Sequence, residues 1–271
     1  MTGQPFQSFA WWCFANRGVE DITLLRQAAR IGYCGVDLLG DSLWPLARDH
    51  GLRVVAVAGH QSIGAGLNRP ENAERIVGEL KHRIDQANKW RIPVLVCFSG
   101  NRRGLDDEQG LLQCVETLSR VSSHAEAAGV SLALELLNSR VDHPDYHFDH
   151  LSWGIRLCEK AGSPAIKILC DLYHLQVMEG DVIRRVRQAA SHIAHYHTAG
   201  NPGRVEPDES QELNYPAIYR AISATGYSGA IAHEFLPQGD PIAALERAYA
   251  CCRAAWTQEQ QPLSTQPEKP R

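Results

Sequence analysis

The sequence predicts one α/β domain that folds as a (β/α)8 barrel, because short apolar, β-prone runs alternate eight times with amphipathic helical stretches. The predicted strands cover residues 6–14, 34–39, 53–60, 93–99, 131–138, 166–173, 193–198 and 229–236. The helical stretches lie near residues 20–31, 42–50, 71–90, 106–128, 149–161, 180–190, 214–225 and 240–255. The length of 271 residues is also usual for such a barrel.

Eight strand–helix units fit either a closed barrel or a doubly wound open sheet. A GxGxxG fingerprint after the first strand would favour the open sheet and a nucleotide cofactor, and the sequence has none there. Polar residues instead follow many different strands, as expected when active-site groups surround one mouth of a barrel. We therefore predict a single barrel domain over residues 1–256 and a disordered polar tail over residues 257–271.

The charge and the cysteine content exclude several classes of protein. The formal net charge is −4 at pH 7, which argues against a nucleic-acid-binding surface. The eight cysteines include no CxxC pair, so we expect buried thiols in a reducing compartment rather than a zinc cage. The N-terminus lacks a signal-peptide pattern and no apolar run reaches the length of a membrane span. These features predict a cytoplasmic protein that binds neither nucleic acid nor membranes.

Four potential metal ligands come from the ends of successive predicted strands. Strand residues in a barrel alternate between the interior and the helix layer. This alternation turns four side chains inward near the strand ends: Glu135, Asp171, His197 and Glu234. Three carboxylates and one imidazole suit one divalent cation such as Mg²⁺, Mn²⁺, Co²⁺ or Zn²⁺. In the alternative, each acid pairs with a neighbouring Arg or Lys. This is less favoured, because four such residues come from successive strands and all face inward.

Four segments carry a resemblance to a known enzyme family: ALELLN (133–138), CDLYHLQVMEGD (170–181), HYHTAGNPGRVEPDESQELNY (195–215) and AHEFLPQGD (232–240). The sequence resembles the hydroxypyruvate isomerase family of xylose isomerase-like TIM barrels, which is related to the ketose 3-epimerases. The resemblance extends from the first strand to the last helix and is sharpest after residue 131.

The resemblance implies a role for each residue of the site. The four strand-end residues match the family's metal ligands: Glu135, Asp171, His197 and Glu234. Glu135 and Glu234 also match the acid–base pair on either side of the reacting carbons. His174 and Arg204 match substrate-binding positions. The epimerase relatives carry a further Glu shortly after the first of these glutamates, and Asp142 fills that role only if the loop holds one extra residue.

The implied reaction moves a carbonyl along a hydroxy-carbon chain. A carboxylate removes the proton next to the carbonyl, and a second group returns a proton to the adjacent carbon of the resulting enediolate. A metal ion supports this step as a Lewis acid. The resemblance thus implies a metal-dependent isomerase that converts hydroxypyruvate to tartronate semialdehyde, or a close analogue, and that forms a homodimer or homotetramer.

Several other activities are compatible with the same metal site. A ketose 3-epimerase, a 2-oxo-tetronate isomerase and a keto-sugar dehydratase all begin with removal of a similar proton. A sugar-binding barrel without catalysis is less favoured, since both glutamates are present. An endonuclease of the same superfamily would need three zinc ions, more histidine ligands and a basic groove for DNA.

Other histidines have more than one interpretation. His60 ends the third predicted strand, where it either contacts the substrate or is a structural, hydrogen-bonded histidine. His195 is expected to be buried one layer below His197, with support of the metal site as a second possibility. The loop over residues 139–150 contains His143, His147 and His150, which we expect to be solvated rather than bound to a second metal ion. The length of this loop is typical of functional βα loops, so contact with the substrate is an alternative interpretation.

Overall fold

In the computed structural model, which describes residues 5–257, eight parallel strands form a nearly closed barrel with helices between them. The strands are β1 (Phe6–Phe9), β2 (Gly35–Asp37), β3 (Arg53–Ala58), β4 (Val94–Cys97), β5 (Ser131–Glu135), β6 (Ile166–Asp171), β7 (Ile193–Thr198) and β8 (Ala230–His233). They pair in the order β1-β8-β7-β6-β5-β4-β3-β2, so the predicted barrel is confirmed.

The barrel closes between β1 and β2 with little backbone pairing. Beyond the ends of the paired strands, an isolated parallel bridge joins Ala10 to Asp37. The Cys34 N–H also donates a hydrogen bond to the Gln7 carbonyl at 3.0 Å. Asp37 therefore lies at the seam of the barrel, where its side chain enters the interior.

Between residues 5 and 257, ten α-helices connect the strands or follow the last one. They are α1 (Trp11–Phe14), α2 (Asp21–Ile31), α3 (Trp44–Asp49), α4 (Pro70–Trp90), α5 (Asp107–Ala128), α6 (Leu151–Ala161), α7 (Leu172–Met178), α8 (Val182–Ala189), α9 (Tyr215–Ala224) and α10 (Pro241–Thr257). Local capping explains several boundaries. The Asp106 carboxylate accepts a hydrogen bond from the Gln109 N–H at the start of α5, and Gly129 ends that helix in the left-handed conformation.

Seven of the eight predicted strands are longer than the observed ones, and two of them extend into a helix. The run 6–14 forms a strand only to Phe9 and then the short helix α1, because an apolar run does not by itself distinguish strand from helix. The run 166–173 ends as a strand at Asp171, whose carboxylate accepts a hydrogen bond from the His174 N–H at 3.0 Å and caps α7. The sequence analysis did not predict α7. The predicted tail lies outside the described residues except for Thr257, which ends α10.

The alternation of strand side chains is as predicted. A small apolar cluster fills the barrel interior, and it consists of Ala56, Val94, Val96, Ala133 and Leu169. The leucines of β5 instead belong to the larger core between the strands and the helices. This arrangement leaves the polar members of the inward register near the carboxyl ends of the strands.

None of the helices in the described part of the chain is both long enough and apolar enough to cross a membrane.

His233 is a buried titratable residue on the outer face of β8. Its ring is fully buried, with Nδ1 3.0 Å from the Thr198 hydroxyl and Nε2 2.9 Å from Gln7 Oε1. Burial lowers the pKa of His233 to about 3, although the Asp37 carboxylate acts in the opposite direction. The folded protein therefore keeps this imidazole neutral over a pH range in which the unfolded chain binds a proton.

We expect the stability of the wild-type protein to fall as the pH decreases below about 6.5, because only the unfolded chain takes up the His233 proton. The loss is at most about 1.4 kcal/mol per pH unit from this group. His233→Gln removes this part of the slope. Urea unfolding at several pH values between 7.5 and 5 measures it, with His82→Gln on the exposed side of α4 as the control. Equal slopes for His233→Gln and the wild type would contradict the assignment.

Candidate active site

Four side chains from neighbouring strands meet at one mouth of the barrel. They are the predicted ligands Glu135, Asp171, His197 and Glu234, and one ligand-type atom of each lies within 4.8 Å of those of the others. All four are buried. Asp171 and His197 are direct neighbours in the β6–β7 ladder, and the Glu234 N–H donates to the Thr198 carbonyl just beyond β8. The strand register itself therefore brings the four groups together.

The two glutamates are held very differently. Glu234 Oε1 accepts a hydrogen bond from the Trp12 indole at 2.8 Å, and Oε2 accepts one from Arg204 at 2.6 Å. His197 Nδ1 lies 3.0 Å from the same Oε2 atom. For the Glu135 carboxylate we find one such contact among the described residues, His197 Nδ1 at 3.2 Å. Glu234 is thus fixed as an anion, while Glu135 keeps more freedom.

Burial and close charges perturb the titration of this cluster. Burial and the nearby Glu234 raise the pKa of Asp171 to about 7, against the opposing charge of Arg204. Burial also opposes ionisation of Glu234, but the positive charges of His197 and Arg204 outweigh it and lower the pKa of that carboxyl. For His197, burial acts against the proton, and the surrounding carboxylates raise the pKa well above its usual value. The site therefore contains more negative charge than Arg204 alone offsets.

The residues of the site fit a divalent cation. Three carboxylates and an imidazole form the donor set, which suits hard and borderline metal ions. Asp171 Oδ2 is fully buried and has no hydrogen-bond partner among the described residues, and Arg204 approaches it only to 3.7 Å. Buried oxygens without a partner are costly, and a bound cation would satisfy this one.

His174 and Arg204 lie beside the four groups, where the resemblance implied substrate contacts. The Asn138 side-chain amide is 2.7 Å from His174 Nδ1, and the Asn138 N–H donates to the same nitrogen at 3.2 Å. His174 Nε2 faces Asp171 Oδ2 at 3.8 Å and makes no hydrogen bond within the described part of the chain. Arg204 packs its guanidinium over the rings of Trp12 and Tyr173. Both predicted substrate-binding residues are therefore adjacent to the cluster.

The geometry of His60 favours the structural interpretation. Its Nδ1 atom lies 3.1 Å from the Gln61 carbonyl, and its Nε2 atom accepts a hydrogen bond from the Phe98 N–H at 2.9 Å. Both ring nitrogens are thus engaged by the backbone of the loops after β3 and β4. Burial also lowers the pKa of His60, which keeps the ring neutral in these contacts. A substrate contact by this residue remains only a prediction.

Asp142 connects the loop after β5 to the site. The Asn138 amide donates to Asp142 Oδ2 at 2.6 Å, and the Tyr173 hydroxyl donates to the same oxygen at 2.9 Å. This oxygen also lies 3.9 Å from His174 Nδ1. The loop is therefore attached to the side of the mouth formed by Tyr173 and His174.

The three loop histidines have separate environments. His143 packs against the His174 ring at a centroid distance of 5.4 Å. His147 is fully buried, with Nδ1 3.1 Å from the Asn68 amide and its ring packed on Trp153. His150 instead contacts the Asp149 carboxylate at 2.7 Å. The expectation that all three are solvated is wrong for His147, because the loop folds back onto the start of α5.

Asp37 and Asn138 also belong to the site, although neither was predicted from the sequence. Asp37 is fully buried inside the barrel, with Oδ2 2.5 Å from His195 Nε2 and 3.5 Å from His197 Nε2. In the sequence, Asp37 is the single acid of the short apolar strand GVD, at a position that faces the barrel interior. His195 is buried next to His197, in the layer where the sequence placed it.

Comparison with known proteins places this architecture in a family. Residues 23–255 match the family described as "Xylose isomerase-like TIM barrel". The chain is 35% identical over 131 residues to the 2-oxo-tetronate isomerase of Cupriavidus necator, covering 48% of this chain and 50% of that protein. It is 31% identical over 135 residues to the hydroxypyruvate isomerase of Escherichia coli, covering 50% of this chain and 52% of that protein. The matched segments thus span about half the length of these curated relatives.

Solved structures share the fold over nearly the whole chain. A structure described as AP endonuclease, family 2, from Brucella melitensis superposes with a TM-score of 0.77 at 25% identity, covering 89% of this chain and 96% of the other. The D-psicose 3-epimerase of Clostridium cellulolyticum gives a TM-score of 0.74 at 18% identity, covering 92% of this chain and 99% of the other. The second likeness concerns the fold alone.

Two helix glycines offer a matched test of the position of His147. A Cβ atom on Gly110, in the first turns of α5, would lie 2.0 Å from Cε1 of the buried His147 ring, whereas one on Gly78 in α4 would meet nothing within 4 Å. We expect Gly78→Ala to stabilise the protein by up to about 1 kcal/mol. Gly110→Ala should destabilise it by about 1–2 kcal/mol, because overpacking outweighs the same gain in helix propensity. Denaturant unfolding gives both values, and stabilisation by Gly110→Ala would contradict the buried placement of His147.

Proposed function

Because this chain belongs to the xylose isomerase-like TIM barrel family, we propose that it is a metal-dependent isomerase of a small hydroxy-carbonyl acid. The observation that carries the proposal is the buried cluster of Glu135, Asp171, His197 and Glu234. The proposed reaction is of the type that interconverts hydroxypyruvate and tartronate semialdehyde. It is supported by the relatives named hydroxypyruvate isomerase and 2-oxo-tetronate isomerase.

One divalent cation would be held by the four residues of this cluster. When bound, it would supply Lewis-acid stabilisation of the negative charge that develops on the substrate oxygens. The protein also positions the side chains that surround this charge. The carboxylates come from separate strands, and Trp12 and Arg204 orient Glu234 from the opposite side. Glu234 is therefore held in a defined ligand position, whereas Glu135 is less restrained.

The different surroundings of the two glutamates suggest a division of the proton transfers. Glu234 receives hydrogen bonds from two donors and lies next to a third nitrogen, and these contacts stabilise its anion and make it a weak base. Glu135 has the single contact to His197. We assign to Glu135 the removal of the proton next to the substrate carbonyl. Glu234 is an anion at the start of the reaction, so it would return a proton to the adjacent carbon only after taking one up from solvent.

The hydrogen bonds of His174 define which of its nitrogens is a donor. Both the backbone N–H and the side-chain amide of Asn138 approach Nδ1, so Nδ1 acts as the acceptor. Burial, together with the nearby Arg204, lowers the pKa of His174 well below its usual value, so the ring is neutral. The remaining proton then lies on Nε2, which faces the cluster. His174 is thus prepared to donate a hydrogen bond to a substrate oxygen.

Arg204 would complete the recognition of an acidic substrate. Its Nε atom is buried without a partner among the described residues, while a terminal nitrogen bonds to Glu234. A guanidinium donor of this kind suits a carboxylate or a hydroxy-carbonyl oxygen. The same first proton transfer is used by the alternatives, which are a ketose 3-epimerase, a 2-oxo-tetronate isomerase and a keto-sugar dehydratase. The residues that contact the rest of the substrate would therefore decide among them.

DNA cleavage is less favoured by the properties of this chain, despite the name of the Brucella structure. The formal charge of −4 does not provide a basic surface for a phosphate backbone. Among the described residues, the two groups with metal-ligand character share His197, and together they do not supply the many histidines of a three-zinc site.

Metal dependence is tested by Asp171→Asn. Asparagine still caps α7, because Asn is as good a helix N-cap as Asp, but it removes one negative ligand from the cluster. We expect Mn²⁺ at a hundredfold excess over its dissociation constant to stabilise the EDTA-treated wild type by about 2.7 kcal/mol. This corresponds to a rise in Tm of roughly 5–10 °C. The variant should show little or no rise, and a wild type without any Mn²⁺-dependent rise would contradict the proposal.

The proton transfer is tested by Glu135→Gln. We expect the wild type with Mn²⁺ in D2O to incorporate deuterium next to the carbonyl of at least one substrate from a panel of hydroxypyruvate, 2-oxo-tetronates, ketoses and inososes. The exchange rate, followed by NMR, should fall by about 10²–10⁴-fold in Glu135→Gln because the base is lost.

The matched control is Glu179→Gln, which alters a buried glutamate that pairs with Arg185 outside the site. This variant should exchange deuterium at the wild-type rate. Absence of exchange in the wild type with every substrate of the panel would favour the sugar-binding barrel. Retained exchange in Glu135→Gln would reassign the base.

A further inference from the structure

Asp37 is the charged group that contacts the metal cluster from inside the barrel. Its Oδ2 atom lies 3.5 Å from His197 Nε2 and 2.5 Å from His195 Nε2, and all three side chains are fully buried. Asp37 belongs to β2 and the two histidines to β7, so this contact crosses the barrel interior instead of following the strand order.

The two nitrogens of the His197 ring face different partners. Nε2 faces Asp37, whereas Nδ1 lies 3.0 Å from Glu234 and 3.2 Å from Glu135. Carboxylates only accept hydrogen bonds, and they face both nitrogens of this ring, so the carboxylate contacts favour neither tautomer. A metal ion held by Glu135 and Glu234 would need the lone pair of Nδ1, which leaves the ring proton on Nε2. The Asp37 oxygen, 3.5 Å from Nε2, is then the acceptor directed at that proton.

We propose that Asp37 is a positioning residue, which fixes the His197 ring and its tautomer so that Nδ1 is directed at the metal ion. The inference rests on the proposed function, because it concerns a ligand of the proposed metal centre. His195 supports this arrangement by holding the same Asp37 oxygen from a second side. Carboxylates that orient metal-binding histidines in this way commonly change metal affinity by about 10–100-fold when they are removed.

A second metal ion between Asp37, His195 and His197 does not fit these distances. Two ligand atoms about 2.1 Å from one tetrahedral ion lie roughly 3.4 Å apart. The 2.5 Å separation between Asp37 Oδ2 and His195 Nε2 is instead that of a hydrogen bond. One metal ion per chain is therefore expected.

Asp37 also lies at the seam between β1 and β2, so its replacement affects folding as well. The neighbouring Val36 provides the matched control. It is fully buried on the same strand, but its side chain belongs to the outer core. Val36→Ala should lower the Tm of the apo protein, because it leaves a cavity beside the seam, without altering the contact to His197.

The experiment compares Mn²⁺ binding by isothermal titration calorimetry in the wild type, Asp37→Asn and Val36→Ala, with thermal melting of each apo protein. We expect the Kd of Asp37→Asn for Mn²⁺ to rise about 10–100-fold, because an amide does not hold the Nε2 proton as a carboxylate does. Val36→Ala should bind Mn²⁺ within about twofold of the wild type, with one ion per chain.

A second measurement needs no variant. In the Zn²⁺-loaded wild type, two-bond ¹H–¹⁵N spectra of histidine should show the His197 proton on Nε2. A proton on Nδ1, or unchanged Mn²⁺ affinity in Asp37→Asn, would overturn the positioning role while leaving the metal centre intact. An equal loss of affinity in Val36→Ala would also overturn it, since general loosening of the seam would then suffice. A wild type that binds neither Mn²⁺ nor Zn²⁺ would overturn both proposals.

Discussion

Buried negative charge is the constraint on which the arrangement of the barrel mouth depends. Glu135, Asp171 and Glu234 project from neighbouring strands into a space that excludes most solvent. Within the described range 5–257, the positive charges that face them come from Arg204 and His197. Carboxylates in such a place must be paired, protonated or bound to a cation. The pKa of Asp171 near 7 and the lowered pKa of Glu234 are two responses to the same constraint. The surrounding hydrogen bonds follow from the need to distribute this charge.

The junction between β6 and α7 shows how the fold and the site share residues. Asp171 ends the strand and caps the helix with one carboxylate oxygen, which leaves the other oxygen directed at the cluster. Because no loop separates the two elements, His174 is carried into the mouth by the first turn of α7. A short connection of this kind restricts both side chains and so gives them defined positions at the mouth.

The four ligand-type residues were predictable because they depend only on a local rule, the alternation of strand side chains. The same rule assigned the outward positions of β5 and β8. It did not reveal Asp37, whose contact with His195 joins residues 158 positions apart in the chain. It also did not reveal α7, since an apolar run without a turn signal looks like a longer strand. The role of His60 was ambiguous because its hydrogen-bond partners lie in two different loops. The spacing of residues along one segment does not predict such contacts.

The seam of the barrel has a consequence for how this protein tolerates substitutions. Elsewhere around the barrel, parallel backbone ladders hold adjacent strands, but β1 and β2 meet through an isolated bridge at Asp37. The side chain of this residue reaches inward to the histidines of β7. A substitution among the side chains at the mouth therefore also affects the closure between β1 and β2. A substitution at this closure in turn affects the side chains at the mouth. Selection on either property constrains the other, so this position has little room for neutral variation.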